Sequence, residues 1–424
     1  MSEAASLTQA GVAELNAQRP EAAAAQFLAA LRLDLRQEQA WLGLALALAL
    51  QGKLGDLVGL ADYRQRVLGD GFLFFHGAAG MLVGYRLYDH TRALARDLPE
   101  SSPYHLPALY AAGCAALLQG DEDAGFAAFG RFKQDAAGRG GELPIGPDSP
   151  FNVAWRQAML IEDRAYVDAL GDGAAVRARL PAPHFAEPRF GAAGVALAAA
   201  CDANYFRLFA PGFVRSAAAQ LPGMSVHFHL IEPDESARAL FAELAAAAPG
   251  LALNLSTEAA GPYRSGAYYA SSRFLVGPAL LQRYGSRLVL TDIDVEFVAP
   301  LDDLLAATAG CAFAGFRHDG AGPCSRYPAV LTVWDPAAGG TALLDRVGRF
   351  VLSKLDIEWP FNWMLDQAAL GSVLRWAKGE GIGIVNDLTG KHYQPWLRSV
   401  GGEEKAELIR AAGQASGAVS TRAV

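Results

Sequence analysis

The chain is 424 residues long, 52% hydrophobic and 19% charged, with a formal net charge of −8. That length suggests two or three domains able to bury cores of their own, and the composition excludes wholesale disorder. No Lys/Arg-rich run supplies the electrostatic footprint of a nucleic-acid binder, so no nucleic-acid partner is expected.

Residues 1–137 are rich in Ala and Leu and read as helices throughout, interrupted at Gln18-Arg19-Pro20 and Gln51-Gly52-Lys53. With Phe27, Ala30 and Leu31 set on the second helix of a hairpin, Leu7 opens the first. About 34 residues further on the opening position is Trp41, followed by Leu44. A weaker copy runs through Leu109, Gly113, Gly120, Ala124 and Phe129, and residues 71–98 (Gly84-Tyr85, Ala93) leave room for a degenerate unit. The pattern resembles tetratricopeptide repeats, in which each helix pair buries its apolar face against its neighbours. It departs from them at Leu35, where such a unit usually ends in Pro. The resemblance implies a protein partner bound by the helices; a generic helical bundle is the alternative.

Residues 138–189 read as a linker. Gly138 to Pro147 is turn-rich, one helix is expected from about Phe151 to Leu170, and Pro181-Ala182-Pro183 follows. From Gly194 the pattern changes. The runs Val195–Cys201, Ser225–Ile231, Leu251–Leu255 and Arg287–Thr291 are short and apolar, with a helix from Ser236 to Ala247 between the second and third. Apolar runs alternating with helices predict crossover units on a mostly parallel sheet, so residues 190–400 read as an α/β domain. Such sheets carry ligand chemistry at the carboxyl ends of their strands, where Asp202 and Asp292-Ile293-Asp294 fall. Residues 401–424 read as a tail with one short helix.

Cys114, Cys201, Cys311 and Cys324 are scattered, with no CxxC pair, which argues against a zinc or disulfide framework and fits a reducing compartment. Met1–Ala5 lacks a basic n-region, and the most apolar stretch, Ala40–Leu50, is about half the length a bilayer span requires. A cytoplasmic protein without a membrane span is expected.

Asp292 and Asp294 are carboxylates at i and i+2 just past a buried strand. In extended geometry both point to one side, where they suit a hard divalent cation. Such a pair is common by chance; its position after Leu288-Val289-Leu290 and before Val295–Leu304 makes it specific. The stretch from Arg283 through Leu304 resembles the metal-binding strand of GT-A glycosyltransferases, closest to the family-8-like retaining enzymes. Ala199–Tyr205 is similar to that family's first-strand motif, Ser216 falls at a serine common in its first helix, and Tyr268–Leu275 matches its "Y-x-R-F/L" helix. Trp363–Leu370 resembles its "DQ" segment, and Gly390–Trp396 its terminal "H…KPW" element.

For this chain the resemblance implies a GT-A fold after the all-α repeats, and a retaining hexosyltransferase using a UDP-sugar and Mn2+ or Mg2+. Asp292, Asp294 and His392 would hold the metal. Asp202, Asn204, Tyr205, Arg273 and Lys391 would meet the nucleotide, and Asp366 and Gln367 the sugar or acceptor. The chain departs from the family where Tyr327-Pro328-Ala329-Val330 replaces an Asn-Ser-Gly turn, and where Lys391 directly precedes His392. Plainer roles stand beside these: a helix cap for Asp202, a surface charge for Arg273, a structural salt bridge for Asp366. His227 and His229 share a strand face with no carboxylate neighbouring them in sequence and read as structural. An alternative for the whole protein is a scaffold that acts through its repeats and has lost catalysis. A nucleotidyltransferase would want a Gly-rich basic loop after Cys201, and none is there.

Overall fold

The computed structural model describes residues 1–138, 150–171, 177–259, 261–318, 322–324, 326–355, 364–380, 383–388 and 392–415. The chain divides into two compact units, Met1–Met159 with Gly320–Pro323 and Leu160–Asp319 with Cys324–Val424.

The first unit is all helix: α1 (Glu3–Asn16), α2 (Pro20–Leu33), α3 (Glu38–Leu50), α4 (Leu54–Leu68), α5 (Gly71–Gly84), α6 (Tyr88–Asp97), α7 (His105–Leu118), α8 (Glu122–Gly138) and α9 (Pro150–Leu160). Consecutive helices pack on one another, and Gly52, Gly69 and Gly120 supply the left-handed residue that turns the chain between them. Close packing comes from a small residue opposite a ring. A Cβ on Gly11 would approach the buried Phe27 ring to 2.6 Å, and Gly113 and Phe129 repeat that pairing at the same spacing. Trp41, fully buried, donates its indole N–H to the Leu35 carbonyl at 2.8 Å.

The turn-rich segment expected to mark the boundary lies, beyond Gly138, outside the described residues. The single helix expected over 151–170 is two. The first, α9, gives Trp155 to an aromatic cluster with Phe72, His76 and Phe132, at ring separations of 5.8, 5.3 and 5.0 Å. The second, α10 (Arg164–Asp168), restarts because the Asp163 side chain accepts the Tyr166 N–H at 2.9 Å, a local cap that competes with continuing the first helix. The segment read as a linker also supplies a strand to the sheet of the second unit.

That sheet has eight strands among the described residues, in the order β1-β4-β3-β2-β5-β8-β7-β9. They are β1 (His184–Phe185), β2 (Val195–Asp202), β3 (Ser225–Ile231), β4 (Ala252–Glu258), β5 (Arg287–Thr291), β7 (Phe313–Gly315), β8 (Leu331–Trp334) and β9 (Val385–Asp387). β4, β3, β2 and β5 run parallel, while β1 and β8 are antiparallel to their neighbours. A separate ribbon pairs β6 (Val295–Phe297) with β10 (Leu397–Ser399).

Both faces of the sheet are covered, which is why β2 reads as an unbroken apolar run. Val195, Leu197, Ala199 and Cys201 share a core with Phe206, Phe209 and Phe213 of α11 (Ala203–Gln220) and Ala237 of α12 (Glu235–Ala247). On the other face α13 (Gly266–Tyr284) lies against β2 and β5, so closely that a Cβ on Gly277 would meet Leu344 of α15 (Gly340–Leu355) at 2.6 Å. A short helix, α14 (Asp302–Ala307), follows β6.

The order β3-β2-β5 fixes where chemistry can occur. From β2 the chain builds outward one way through β3 and β4, then returns to place β5 on the other side of β2. The two loops leaving β2 and β5 therefore part in opposite directions and leave a crevice at the strands' carboxyl ends.

Candidate functional site

Asp202 ends β2 and also caps α11: its side chain accepts the Tyr205 N–H at 2.8 Å. The plainer role is therefore realised, at the lip of the crevice. Asn204 is turned to Arg207, whose guanidinium reaches it at 2.5 Å and Asp234 at 2.6 Å. Tyr205 is half-buried, 5.3 Å from the Phe209 ring. Ser216 bonds back to the Phe213 carbonyl at 2.9 Å within its own helix.

Across the switch point, Asp292 and Asp294 leave β5 on a bend rather than on extended backbone. The i, i+2 argument from strand geometry does not apply here. The bend is pinned by Ile293, which is buried in the core between the two carboxylates. The Asp292 N–H donates to the Val330 carbonyl at 3.3 Å, and Asp294 accepts the Val400 N–H at 2.8 Å on its carbonyl.

Arg273 joins the site from beneath. It sits on α13 and is 2% exposed, which rules out the surface-charge reading. Its Nη1 lies 2.5 Å from Asp292 Oδ1 and its Nη2 lies 2.9 Å from Asp366 Oδ2. The same guanidinium donates to the carbonyls of Ala270 and Ala329 at 2.8 and 3.2 Å. Asp366, at the start of α16 (Leu365–Glu380), is thereby tied to Asp292 through one buried cation, and its other oxygen accepts the Gln367 N–H at 2.8 Å. Burial raises the Asp366 carboxyl, with Arg273 opposing. Met364, just before α16, holds a left-handed backbone (φ 70°) that costs a non-glycine residue roughly 1–2 kcal/mol. Gln367 is half-buried beside Asp366.

Two residues outside the sequence-derived set join this site. Lys405, on α17 (Gly402–Ala415), places its Nζ 2.5 Å from Asp294 Oδ2 and 5.3 Å from the Tyr205 ring centre. Tyr269, next to Tyr268 on α13, has its phenol raised by burial first and by the Asp202 charge second. Lys405 carries no sequence signal, because Glu403-Glu404-Lys405 looks like any solvated helix. Tyr269 belongs to the Tyr268–Leu275 motif, whose pattern singles out Arg273 and not its second tyrosine.

Asp294 is raised by burial first and by Asp292 second, with Lys405 pulling the other way. Asp202, Asp292, Asp294 and Asp366 bring four negative charges against the two positive charges of Arg273 and Lys405. Hard oxygen donors of this kind suit Mg2+ or Mn2+. Asp292 and Asp294, the pair the sequence assigns to a metal, each face a cation at 2.5 Å instead. His392 is exposed and meets His318 edge-on, with 5.7 Å between ring centres. Among the described residues no group of three His, Cys, Asp or Glu side chains is arranged around a common metal position. Lys391 lies outside the described residues.

A buried polar chain runs under the site. The Tyr284 hydroxyl meets His227 Nδ1 at 2.9 Å, His227 Nε2 meets Ser256 Oγ at 2.8 Å, and Ser256 Oγ meets His229 Nδ1 at 2.8 Å. His229 Nε2 lies 3.4 Å from Glu258, which accepts the Tyr268 hydroxyl. His229 does have a carboxylate neighbour; it arrives from the adjacent strand and is invisible in sequence.

Comparison with known proteins adds fold-level neighbours. No protein-family model and no curated protein matches the chain. Similar solved structures are glycosyltransferases. The bifunctional enzyme WbbM aligns at 16% identity and a TM-score of 0.33, over 48% of this chain and 40% of its own. GlyE of Streptococcus pneumoniae TIGR4 aligns at 14% and 0.32, over 46% and 44%. Mouse xyloside xylosyltransferase 1 aligns at 14% and 0.29, over 46% and 84%. The chain spans less than half the length of the first two, and scores this low carry no argument. Among the described residues no helix is long and apolar enough to cross a membrane.

Proposed function

We propose that this chain is a glycosyltransferase that transfers a sugar from a nucleotide sugar, with UDP as the carrier, and that it depends on a divalent metal. The observation that carries this reading is the convergence of Asp202, Asp292, Asp294, Arg273 and Asp366 at the switch point of the sheet. When bound by Asp292 and Asp294, Mn2+ or Mg2+ supplies Lewis-acid stabilisation of the diphosphate that departs. The chain's own groups do the rest. Tyr205, whose N–H Asp202 accepts, and Tyr269, which feels the Asp202 charge, are the aromatic side chains offered to the base and ribose. Arg273 fixes the Asp292 and Asp366 carboxylates relative to one another, so that Asp366 orients the sugar from a set position. Gln367 lies beside it, toward the same ligand. No side chain is assigned as a covalent nucleophile.

The test is release of nucleoside diphosphate from a panel of nucleotide sugars, with and without Mn2+. One donor should turn over, and Asp292→Ala or Asp294→Ala should lower turnover at least a hundredfold. Equal turnover in EDTA, or variants as active as the parent, would sink the metal-dependent reading.

A second reading has one observation in its favour: both aspartates already carry a cationic partner at 2.5 Å. On that reading the domain is an inactive scaffold and the helical hairpins carry the function as tetratricopeptide-like protein binders. Leu28, Leu33, Leu50 and Leu73, all exposed on those helices, are the apolar residues such a role would use. A thermal-shift measurement with UDP and Mn2+ separates the two. Stabilisation supports the enzyme, and its absence supports the scaffold.

A further inference from the structure

Building on the nucleotide-sugar reading, we propose that Lys405 is an exchangeable counter-ion of the donor site. Its ammonium neutralises Asp294 while no nucleotide is present, and turns to the diphosphate when the metal-loaded donor enters.

The C-terminal segment is built into the site. β10 pairs with β6, the strand that leaves the Asp292–Asp294 bend, with Ser399 opposite Val295. Val400 donates to the Asp294 carbonyl, and Arg398 clamps Glu296 at 2.7 Å and Glu404 at 3.0 Å. These contacts bring α17 back over the bend and set Lys405 between the Asp294 carboxylate and the Tyr205 ring. Its ammonium therefore bridges the side read as nucleobase-facing and the side read as metal-facing.

The two cations of the site differ in freedom. Arg273 is committed, since its two terminal nitrogens go to two carboxylates and two backbone carbonyls and the residue is sealed from solvent. Lys405 has Asp294 as its carboxylate partner, its side chain is 24% exposed, and a lysine's four-carbon stem is flexible where Arg's planar fork is not. Asp294 cannot serve a divalent ion and an ammonium at full strength together, whereas an incoming diphosphate brings the negative charge that the displaced ammonium needs. Metal at Asp294 and phosphate at Lys405 thus favour each other. That is a coupling between two ligands through one side chain.

A structural lysine and an exchanging one differ in sign. Two affinities would be measured: Mn2+ alone, and UDP at saturating Mn2+. The proteins would be the full chain and its Lys405→Met, Lys405→Gln and Lys405→Arg variants. The two neutral variants should bind Mn2+ about tenfold more tightly and UDP about tenfold more weakly, as expected for removing one unit charge close to each ligand. Lys405→Arg should keep UDP affinity within about threefold of the parent. Parallel loss of both affinities would mean that Lys405 only docks the helix, and would overturn the proposal. So would UDP affinity that ignores the substitution. If the parent binds neither Mn2+ nor UDP, the glycosyltransferase reading falls and takes this inference with it. A parent that binds both, with neutral variants that match it, removes the counter-ion alone.

Discussion

Arg273 shows what a single residue can hide from a sequence reading. Its place in a "Y-x-R-F" helix points to a ligand contact, whereas the folded chain spends it on Asp292 and Asp366. Truncating one partner of a buried ionic group leaves the other charges stranded, at about 3–5 kcal/mol. Arg273→Met should therefore lower unfolding stability by roughly that amount, read by urea titration; a loss below about 1 kcal/mol would show that water reaches the carboxylates. His227 gives a pH prediction. Burial, helped by His229 and Arg283, depresses its pKa to about 3, against about 6.5 in an unfolded chain. Between those values the unfolded state binds the extra proton, so stability is complete above pH 6.5 and is lost progressively as pH falls toward 3. Urea midpoints at pH 7.5, 6 and 5 should decline, and should decline less in His227→Gln. A flat profile in the parent would mean that the ring is protonated without cost. Asp202 was legible as a strand-end carboxylate, and its helix-capping bond does not exclude ligand contact, because the cap engages Oδ1.

Among the elements, the long ones were readable and the short ones were not. The runs 225–231 and 287–291 fold as the strands expected of them: Leu288, Val289 and Leu290 fill β5, while β3 alternates Val226, Phe228 and Leu230 with buried His227 and His229, whose rings are paired to Tyr284 and Ser256. β6, β7, β9 and β10 are three residues each, too short for any periodicity to register, and their pairing is decided by what they meet. The break between α9 and α10 has no Pro or Gly to announce it: residues 161–163 leave the helix and the Asp163 cap starts the next one. The helical hairpins allow a matched test of packing. Gly11→Ala would drive a methyl into the Phe27 ring and should cost about 1–3 kcal/mol. Gly59→Ala, on the exposed face of α4 with nothing within 4 Å, should gain about 0.5–1 kcal/mol. Melting temperatures of the two variants should move in opposite directions; if both rise, the Gly11 contact is slack.

At the scale of the molecule, each of the two compact units buries its own core, so heating should give two calorimetric transitions rather than one. Arg273→Met should lower one of them and leave the other in place, whereas a single shared transition would show that the units unfold together. What the sequence determined by itself was the succession of helices and then crossover units, and the identity of the strands that end in carboxylates. Both follow from local periodicity, which a chain displays whether or not it is folded. Tertiary structure alone decided that β5 lies beside β2, so that Asp202 and Asp292 face one crevice, and that Glu258 meets His229. It also returned α17 to Asp294 through a three-residue ribbon. Those choices join residues far apart in the chain, and they are set by which surfaces can be buried together, a quantity with no period along the sequence.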